Sequence, residues 1–157
     1  MDHAMTDENI VEMNKVVRTL NQTKGLAGLK IVHIPSLFFY RHIAKNMRAV
    51  FIFRNPADVQ ASQLRRGIST FKLDWFENNN ALIAAYENIP KSIVISYDTL
   101  MSGHKDIPKA FKKLGFTIKT DVIKKSHRTQ ENSNIVLTEN ESRLYNYLKK
   151  LEKQTWK

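Results

Sequence analysis

The chain has 157 residues, 42% of them hydrophobic, which is enough for one compact domain with a real core and argues against wholesale disorder. It contains no cysteine, which excludes disulfides, thiolate metal sites and a cysteine nucleophile, and its five histidines show no close metal-ligand spacing. The net charge is +10, the N-terminus is polar rather than signal-like, and no apolar run reaches the roughly 20 residues of a membrane helix. We therefore expect a single cytoplasmic domain over residues 1–157, without a membrane segment.

Most of the excess positive charge lies in two segments of the chain. Residues 30–66 carry seven Lys or Arg against one Asp, and residues 101–157 carry thirteen against six acidic residues. A fold that brings the two segments together would present a positive pocket or face. A merely solubilising basic surface is the alternative, above all for the C-terminal lysines.

The first third of the chain alternates helix and strand signals. Apolar residues at helical spacing predict a helix over about 7–24, ended by Gly25. The run LKIVHI predicts a short strand over 29–34, followed by a loop or helix from Pro35 to about Lys45. The continuous apolar run AVFIF, residues 49–53, is typical of a strand covered on both faces.

The alternation continues to the end of the sequence. Asn55 and Pro56 suit the N-cap and first position of a helix that Gly67 ends. Further helices are predicted over about 73–88, 105–114 and 139–153, the last opened by the capping box of Thr138 and Glu141, and SIVIS predicts a strand over 92–96. Strands that alternate with helices indicate an α/β fold with a mainly parallel sheet flanked by helices.

Arg54 follows directly on an apolar strand and precedes a capped helix start. Ligands of open α/β sheets bind beyond the carboxyl ends of the strands, and a helix N-terminus favours an anion there. An arginine adds a bidentate fork for phosphate, so the combination suits a phosphate site. The alternative from the residues alone is an ion pair between Arg54 and Asp58 at the helix start.

The stretch FIFRNPADVQASQLRR resembles the 3′-phosphate-binding motif of sulfotransferases that use 3′-phosphoadenosine 5′-phosphosulfate (PAPS). In that family an apolar strand ends in Arg, followed by Asn/Asp-Pro-x-Asp-Val-x-x-Ser, and the Arg and Ser bind the 3′-phosphate. Arg54 and Ser62 have that spacing. The resemblance, strongest over residues 29–130, implies a P-loop NTPase-like sulfotransferase fold, PAPS as co-substrate without a metal, and transfer of a sulfuryl group to a hydroxyl or amine acceptor.

Three further residues are implied by the resemblance. KSIVISYDTL resembles the family strand whose tyrosine contacts the adenine, which points to Tyr97. LKIVHIP resembles the segment that carries a histidine base in some members, which points to His33, although a lone strand histidine is more often structural. The basic loop of Lys124, Lys125, His127 and Arg128 falls where a late basic element covers the 3′-phosphate, although the family's Arg-Lys-Gly triplet is absent. The resemblance points to Arg128, or else Lys125, with solvated lysines as the alternative.

The family's opening strand and its loop for the 5′-phosphosulfate have no counterpart in residues 1–29. The chain therefore resembles an N-terminally truncated sulfotransferase, and we expect a protein partner or an upstream segment to supply the loop. A non-catalytic nucleotide- or partner-binding relative is the alternative. A basic nucleic-acid-binding module is less favoured, because no DNA- or RNA-binding motif is recognisable.

Overall fold

The computed structural model describes residues 7–25, 27–32, 34–67, 71–119, 121 and 135–157. Contacts divide the chain into two compact units, residues 1–47 and 48–157. In the first unit, helix α1 spans Asp7–Gln22, a 3₁₀ turn spans Ile34–Ser36, and helix α2 spans Leu37–Ile43. The second unit holds the sheet and five further helices among the described residues.

The first unit is a small helical pair. Asp7 and Glu8 lie in the first turn of α1, where the helix dipole favours acidic side chains. Val17 of α1 and Leu37 of α2 are the buried apolar residues described in this unit. The Asn21 side chain accepts the backbone N–H of Lys45 at 3.1 Å, which ties the end of α1 to the segment after α2.

The strand predicted over 29–34 is wrong for the residues described there. Residues 29–31 have no regular secondary structure, Val32 lies in a bend with 78% of its surface exposed, and Ile34 begins the 3₁₀ turn. The apolar pattern was misleading because a strand also needs a neighbouring strand to pair with, which local sequence does not reveal. His33 lies outside the described residues.

Strands β1 (Ala49–Phe53) and β2 (Ser92–Ser96) form the sheet of the second unit. They pair in parallel, with Phe53 opposite Ser96, so both carboxyl ends lie at one edge of the sheet. The protein is thus a mixed α/β chain, mostly helical, with a small parallel two-stranded sheet among its described residues. The parallel pairing confirms the coarse α/β prediction, with a smaller sheet than expected.

Helices α3 (Pro56–Arg65) and α4 (Phe71–Asn88) connect the two strands. The Asn55 side chain accepts the N–H of Ala57 at 2.9 Å, so the predicted N-cap is confirmed, with Pro56 as the first helical residue. A short helix that the sequence analysis missed, α5 (Tyr97–Ser102), follows β2 at once, capped by Ser96 and ended by Gly103 in the left-handed conformation.

Helix α6 (Ile107–Lys113) packs against β2. Ile93 and Ile95 of β2 form a buried cluster with Ala110 of α6 and with Leu114 just beyond it. Gly115 has a φ of +79°, and the Arg48 guanidinium lies over it and donates to the Leu114 carbonyl at 2.6 Å. The predicted helix end at Gly115 is confirmed, because glycine adopts this backbone conformation without strain.

Helix α7 (Glu139–Thr155) opens with the predicted capping box of Thr138 and Glu141 and covers the outer edge of β2. The Thr155 hydroxyl accepts the Val94 N–H at 3.1 Å and donates to the Val94 carbonyl at 2.9 Å. A Glu152 oxygen accepts the Ser96 N–H at 2.8 Å. Side chains of a helix therefore take the place of a neighbouring strand along this edge.

None of the helices in the described ranges has the length and apolar character that crossing a bilayer requires.

Candidate functional site

The carboxyl edge of the sheet brings together two of the residues that the sequence singled out. Arg54 comes directly after β1, and Tyr97 comes directly after β2 as the first residue of α5. The guanidinium carbon of Arg54 lies 4.9 Å from the centroid of the Tyr97 ring, a cation–π contact. The parallel register explains this meeting, since Phe53 and Ser96 are directly paired.

Arg54 also faces the start of α3. Its Nε lies 4.0 Å from a carboxylate oxygen of Asp58, and both side chains are only 20% exposed. The ion pair that the sequence left open is therefore present, alongside the contact with Tyr97. A phosphate at this edge would share Arg54 with one carboxylate and one aromatic ring.

Trp75 fixes the backbone at the end of β1. Its indole N–H donates to the Arg54 carbonyl at 3.4 Å, and the tryptophan is only 5% exposed. It also meets Phe76 edge to face, with ring centroids 5.5 Å apart. Through Trp75, helix α4 thus helps to hold the backbone of Arg54 in place. The sequence analysis did not assign this role to Trp75.

Of the other predicted site residues, the structure describes Ser62. Ser62 lies half-buried on α3, one turn after Asp58. His33 and Arg128 lie outside the described residues, as do Lys124, Lys125 and His127, so their predicted roles stay predictions.

Helix α7 contributes three residues near the same edge that the sequence analysis missed. Tyr145 meets the Phe53 ring edge to face at a centroid distance of 5.9 Å, and the Lys149 ammonium lies 6.0 Å from the centroid of that ring. Lys149 also bonds the carboxylate of Glu152. A signal was available, because Glu152 shares the apolar helix face of Leu148 and Leu151, where a carboxylate needs a partner.

Tyr145 and Glu152 both have a pKa that differs from the ordinary value. Burial alone would raise the pKa of Glu152, but hydrogen bonds from Lys149, the Ser96 N–H and Thr99, with the Lys149 charge, hold it below its ordinary value. Burial raises the pKa of Tyr145, and the charges of Asp98, Glu152 and Asp58 add to this rise. Tyr145 therefore stays protonated at neutral pH, and Glu152 stays ionised.

Among the described residues, one groove runs along α1 and another lies at the amino end of β2, and the lining of these grooves does not include Arg54 or Tyr97. Among the residues described, no group of three or more His, Asp or Glu side chains is placed to hold a metal ion. The described residues place a cation, a carboxylate, an aromatic ring and a capped helix start at the edge.

The chain matches no protein-family model, no curated protein and no solved structure. The likeness to sulfotransferases therefore depends on the quoted sequence motifs alone.

Proposed function

We propose that the second unit binds a nucleotide with a 3′-phosphate, PAPS or its product 3′,5′-ADP, as a sulfotransferase-like protein of the P-loop type. One observation carries the proposal: parallel pairing of β1 and β2 places Arg54 and Tyr97 side by side at the carboxyl edge, 4.9 Å apart. These two residues were selected from separate motifs, 43 positions apart in the sequence.

Each residue has a physical role in such a site. Arg54 supplies a planar cation that fits phosphate oxygens, next to the N-terminus of α3. Tyr97 supplies a ring on which an adenine can stack. Ser62, further along α3, supplies a hydroxyl donor for the same phosphate. These residues fit the phosphate and the base of PAPS.

The contacts already made by Arg54 set the expected strength of binding. Asp58 repels an incoming phosphate and competes for the guanidinium, and an adenine stacking on Tyr97 displaces the cation–π contact, which is worth about 0.5–2 kcal/mol. The Lys149 charge near the edge offsets part of this repulsion. We therefore expect moderate rather than tight binding.

The proposal extends to catalysis, which requires groups beyond Arg54 and Tyr97. PAPS supplies the activated sulfuryl group when bound, and the acceptor would be a hydroxyl or an amine. His33 is the proposed base for the acceptor proton, and Arg128 a proposed second phosphate contact. Charge stabilisation at the 5′-phosphosulfate is left to a partner or to an additional segment.

A non-catalytic relative is the second candidate, and one observation favours it. Arg54 is engaged by Asp58 and Tyr97 within the chain itself, so the same residues can serve as a structural joint between β1, α3 and α5. Under this alternative the edge binds a nucleotide weakly or not at all.

Isothermal calorimetry with 3′,5′-ADP and 5′-AMP tests the nucleotide site. Arg54→Ala should weaken 3′,5′-ADP binding by about 2 kcal/mol, roughly 30-fold, because a charge-assisted contact to the 3′-phosphate is lost. Arg66→Ala is the matched control, since it removes the same charge from an exposed position at the end of α3. Neither variant should alter the weaker binding of 5′-AMP appreciably.

If the wild-type chain does not prefer 3′,5′-ADP over 5′-AMP, the proposal of a 3′-phosphate site is wrong. If Arg54→Ala and Arg66→Ala lose equal amounts of 3′,5′-ADP affinity, the loss is explained by the change in net charge alone. Either result would leave the joint between β1, α3 and α5 as the role of Arg54.

A further inference from the structure

The exposed charges of α6 and of residues 142–157 are all positive. The carboxylate within these two stretches, Glu152, is buried and bonded to Lys149. We use the term lysine surface for the exposed lysines of α6 and of the C-terminal half of α7, together with one lysine just before α6 and one just after α7: Lys105, Lys109, Lys112, Lys113, Lys150, Lys153 and Lys157. The surface also holds one partly exposed carboxylate, that of Asp106, which lies 3.8 Å from Nδ1 of His104. Seven lysines against this one carboxylate exceed the mixture of both signs that is common on a surface that serves only solubility.

Contacts between α6 and the end of α7 join these lysines into one surface. The Lys113 ammonium donates to the Thr155 carbonyl at 2.9 Å. Trp156, just past α7, packs against the cluster that contains Ala110 and Leu114. The C-terminal end of α7 therefore contacts α6 and the residue just beyond it.

An aromatic pair lies within this surface. The rings of His104 and Trp156 are stacked, with centroids 4.9 Å apart and planes 29° apart. His104 is exposed, and its Nδ1 accepts the Asp106 N–H at 3.3 Å, which fixes the ring orientation. Lys105 and Lys157 are the sequence neighbours of the pair, so a flat ring is presented among cations.

A groove extends the lysine surface towards the amino end of β2. It has a volume of about 200 Å³ and is lined by Lys113, exposed Lys91 and Tyr86, among others. It therefore lies at the end of the sheet opposite to Arg54 and Tyr97. The groove adds a second aromatic side chain and another cation to the path.

We propose that the lysine surface binds single-stranded nucleic acid without sequence preference, independently of the nucleotide site. Cations that follow the phosphates and rings on which bases stack are the two components of such binding. A bilayer is less suitable as the partner, because Tyr147 alone of the exposed large hydrophobic side chains among the described residues lies on α6 or α7. The sequence alone disfavoured a nucleic-acid-binding function because it contains no recognisable DNA- or RNA-binding motif. The lysine surface, however, forms only when the chain folds.

Fluorescence anisotropy with a labelled oligouridylate of about 20 nucleotides tests the charge component. A variant with Lys109, Lys112, Lys153 and Lys157 replaced by Gln should bind at least about tenfold more weakly at moderate salt, with a shallower dependence on salt. The matched control replaces Lys15, Arg18, Lys24 and Arg41, all exposed in the first unit, and loses the same charge. It should bind within about threefold of the wild type.

His104→Ala tests the stacking component with the lysines intact. It should weaken oligouridylate binding by about fivefold or more and leave the salt slope unchanged, because stacking is lost and no phosphate contact is. Heparin, a polyanion without bases, should bind the wild type and this variant equally.

Four results would overturn the proposal. Equal weakening in both four-residue variants would mean that net charge alone acts. An unchanged affinity of the His104 variant, or absence of oligouridylate binding at moderate salt, would remove the nucleic-acid site. Stronger binding to anionic phospholipid vesicles than to the oligonucleotide would assign the surface to a membrane instead.

Discussion

At the scale of single residues, the lack of a side chain at Gly115 lets the Arg48 guanidinium approach the backbone at the end of α6. The φ of +79° at Gly115 suits glycine, and a Cβ at this position would lie 2.7 Å from the Arg48 guanidinium. That guanidinium bonds the Leu114 carbonyl at the end of α6. The position therefore combines a backbone requirement with a spatial one.

Gly115→Ala should destabilise the second unit more than Gly67→Ala does. Both glycines have positive φ, which costs an alanine about 1–2 kcal/mol, but none of the described residues has an atom within 4 Å of a Cβ at Gly67. The displaced Arg48 bond should add about 1 kcal/mol at Gly115. Urea unfolding of the two variants measures the difference, and equal losses would show that Arg48 moves aside without cost.

Glu152 makes the stability of the second unit depend on acid. Its pKa in the folded chain lies below the ordinary value of 4.5, so its ionised form stabilises the fold fully above pH 4.5. That contribution is lost as the pH falls through the folded pKa. We expect wild-type stability to decline in this range.

Glu152→Gln should therefore be less stable than the wild type at pH 7, and the difference should shrink as the pH falls below 4.5. The glutamine oxygen can still accept the Ser96 N–H, so the charge is the main loss. Chemical unfolding at several pH values gives the comparison, with Glu139→Gln as an exposed control on the same helix. A constant gap at every pH would contradict this account.

At the scale of elements, α7 completes the sheet with side chains. One hydroxyl, that of Thr155, satisfies both the N–H and the carbonyl of Val94, which is fully buried. Burying such backbone groups without partners costs about 1–3 kcal/mol each. The helix is thus bound to β2 by specific bonds as well as by apolar packing.

Thr155→Val should destabilise the second unit by about 2 kcal/mol or more, although it preserves the shape of the side chain. Thr155→Ser keeps the hydroxyl and should lose less than half as much. Thermal unfolding reports the total change, and hydrogen exchange at the Val94 amide reports the local one. Similar losses in the two variants would indicate that the methyl group matters instead of the hydroxyl.

The sequence predicted those elements whose signals are local. Asn55 capped α3, Thr138 and Glu141 formed their box, and the apolar runs of β1 and β2 became paired strands. Helix α5 was missed although Ser96 and Gly103 mark its two ends, because we interpreted the tyrosine that follows Ser96 only as a site residue. The partners of Ser96 and Val94 lie 56 and 61 positions away, beyond any local pattern.

The same distinction between local signals and long-range contacts holds for the residues of the candidate site. Arg54 and Tyr97 could be chosen from motifs, and the parallel register then explains why they meet. Trp75 and Tyr145 could not, since a tryptophan or tyrosine on an amphipathic helix is usually a core residue. Only the folded chain shows that one donates to the Arg54 carbonyl and the other packs on Phe53.

At the scale of the whole molecule, the net charge of +10 should make stability depend on salt. Like charges repel in the compact state, and the Debye length falls to about 8 Å at 0.15 M ionic strength. We expect the Tm to rise between low and physiological salt. The variant with four lysines of the lysine surface replaced should rise less, and a falling Tm would mean that attractive ion pairs dominate.

The reliance of β2 on α7 also has a consequence in time. Ribosomes add about 5–20 residues per second, so the 61 positions between Val94 and Thr155 correspond to roughly 3–12 seconds of synthesis. During that interval the residues of β2 have been synthesised, but the helix that will bond the outer N–H and carbonyl groups of this strand has not. Such an edge can pair with other chains, so translation of the last third of the chain is when we expect protection by chaperones to matter most.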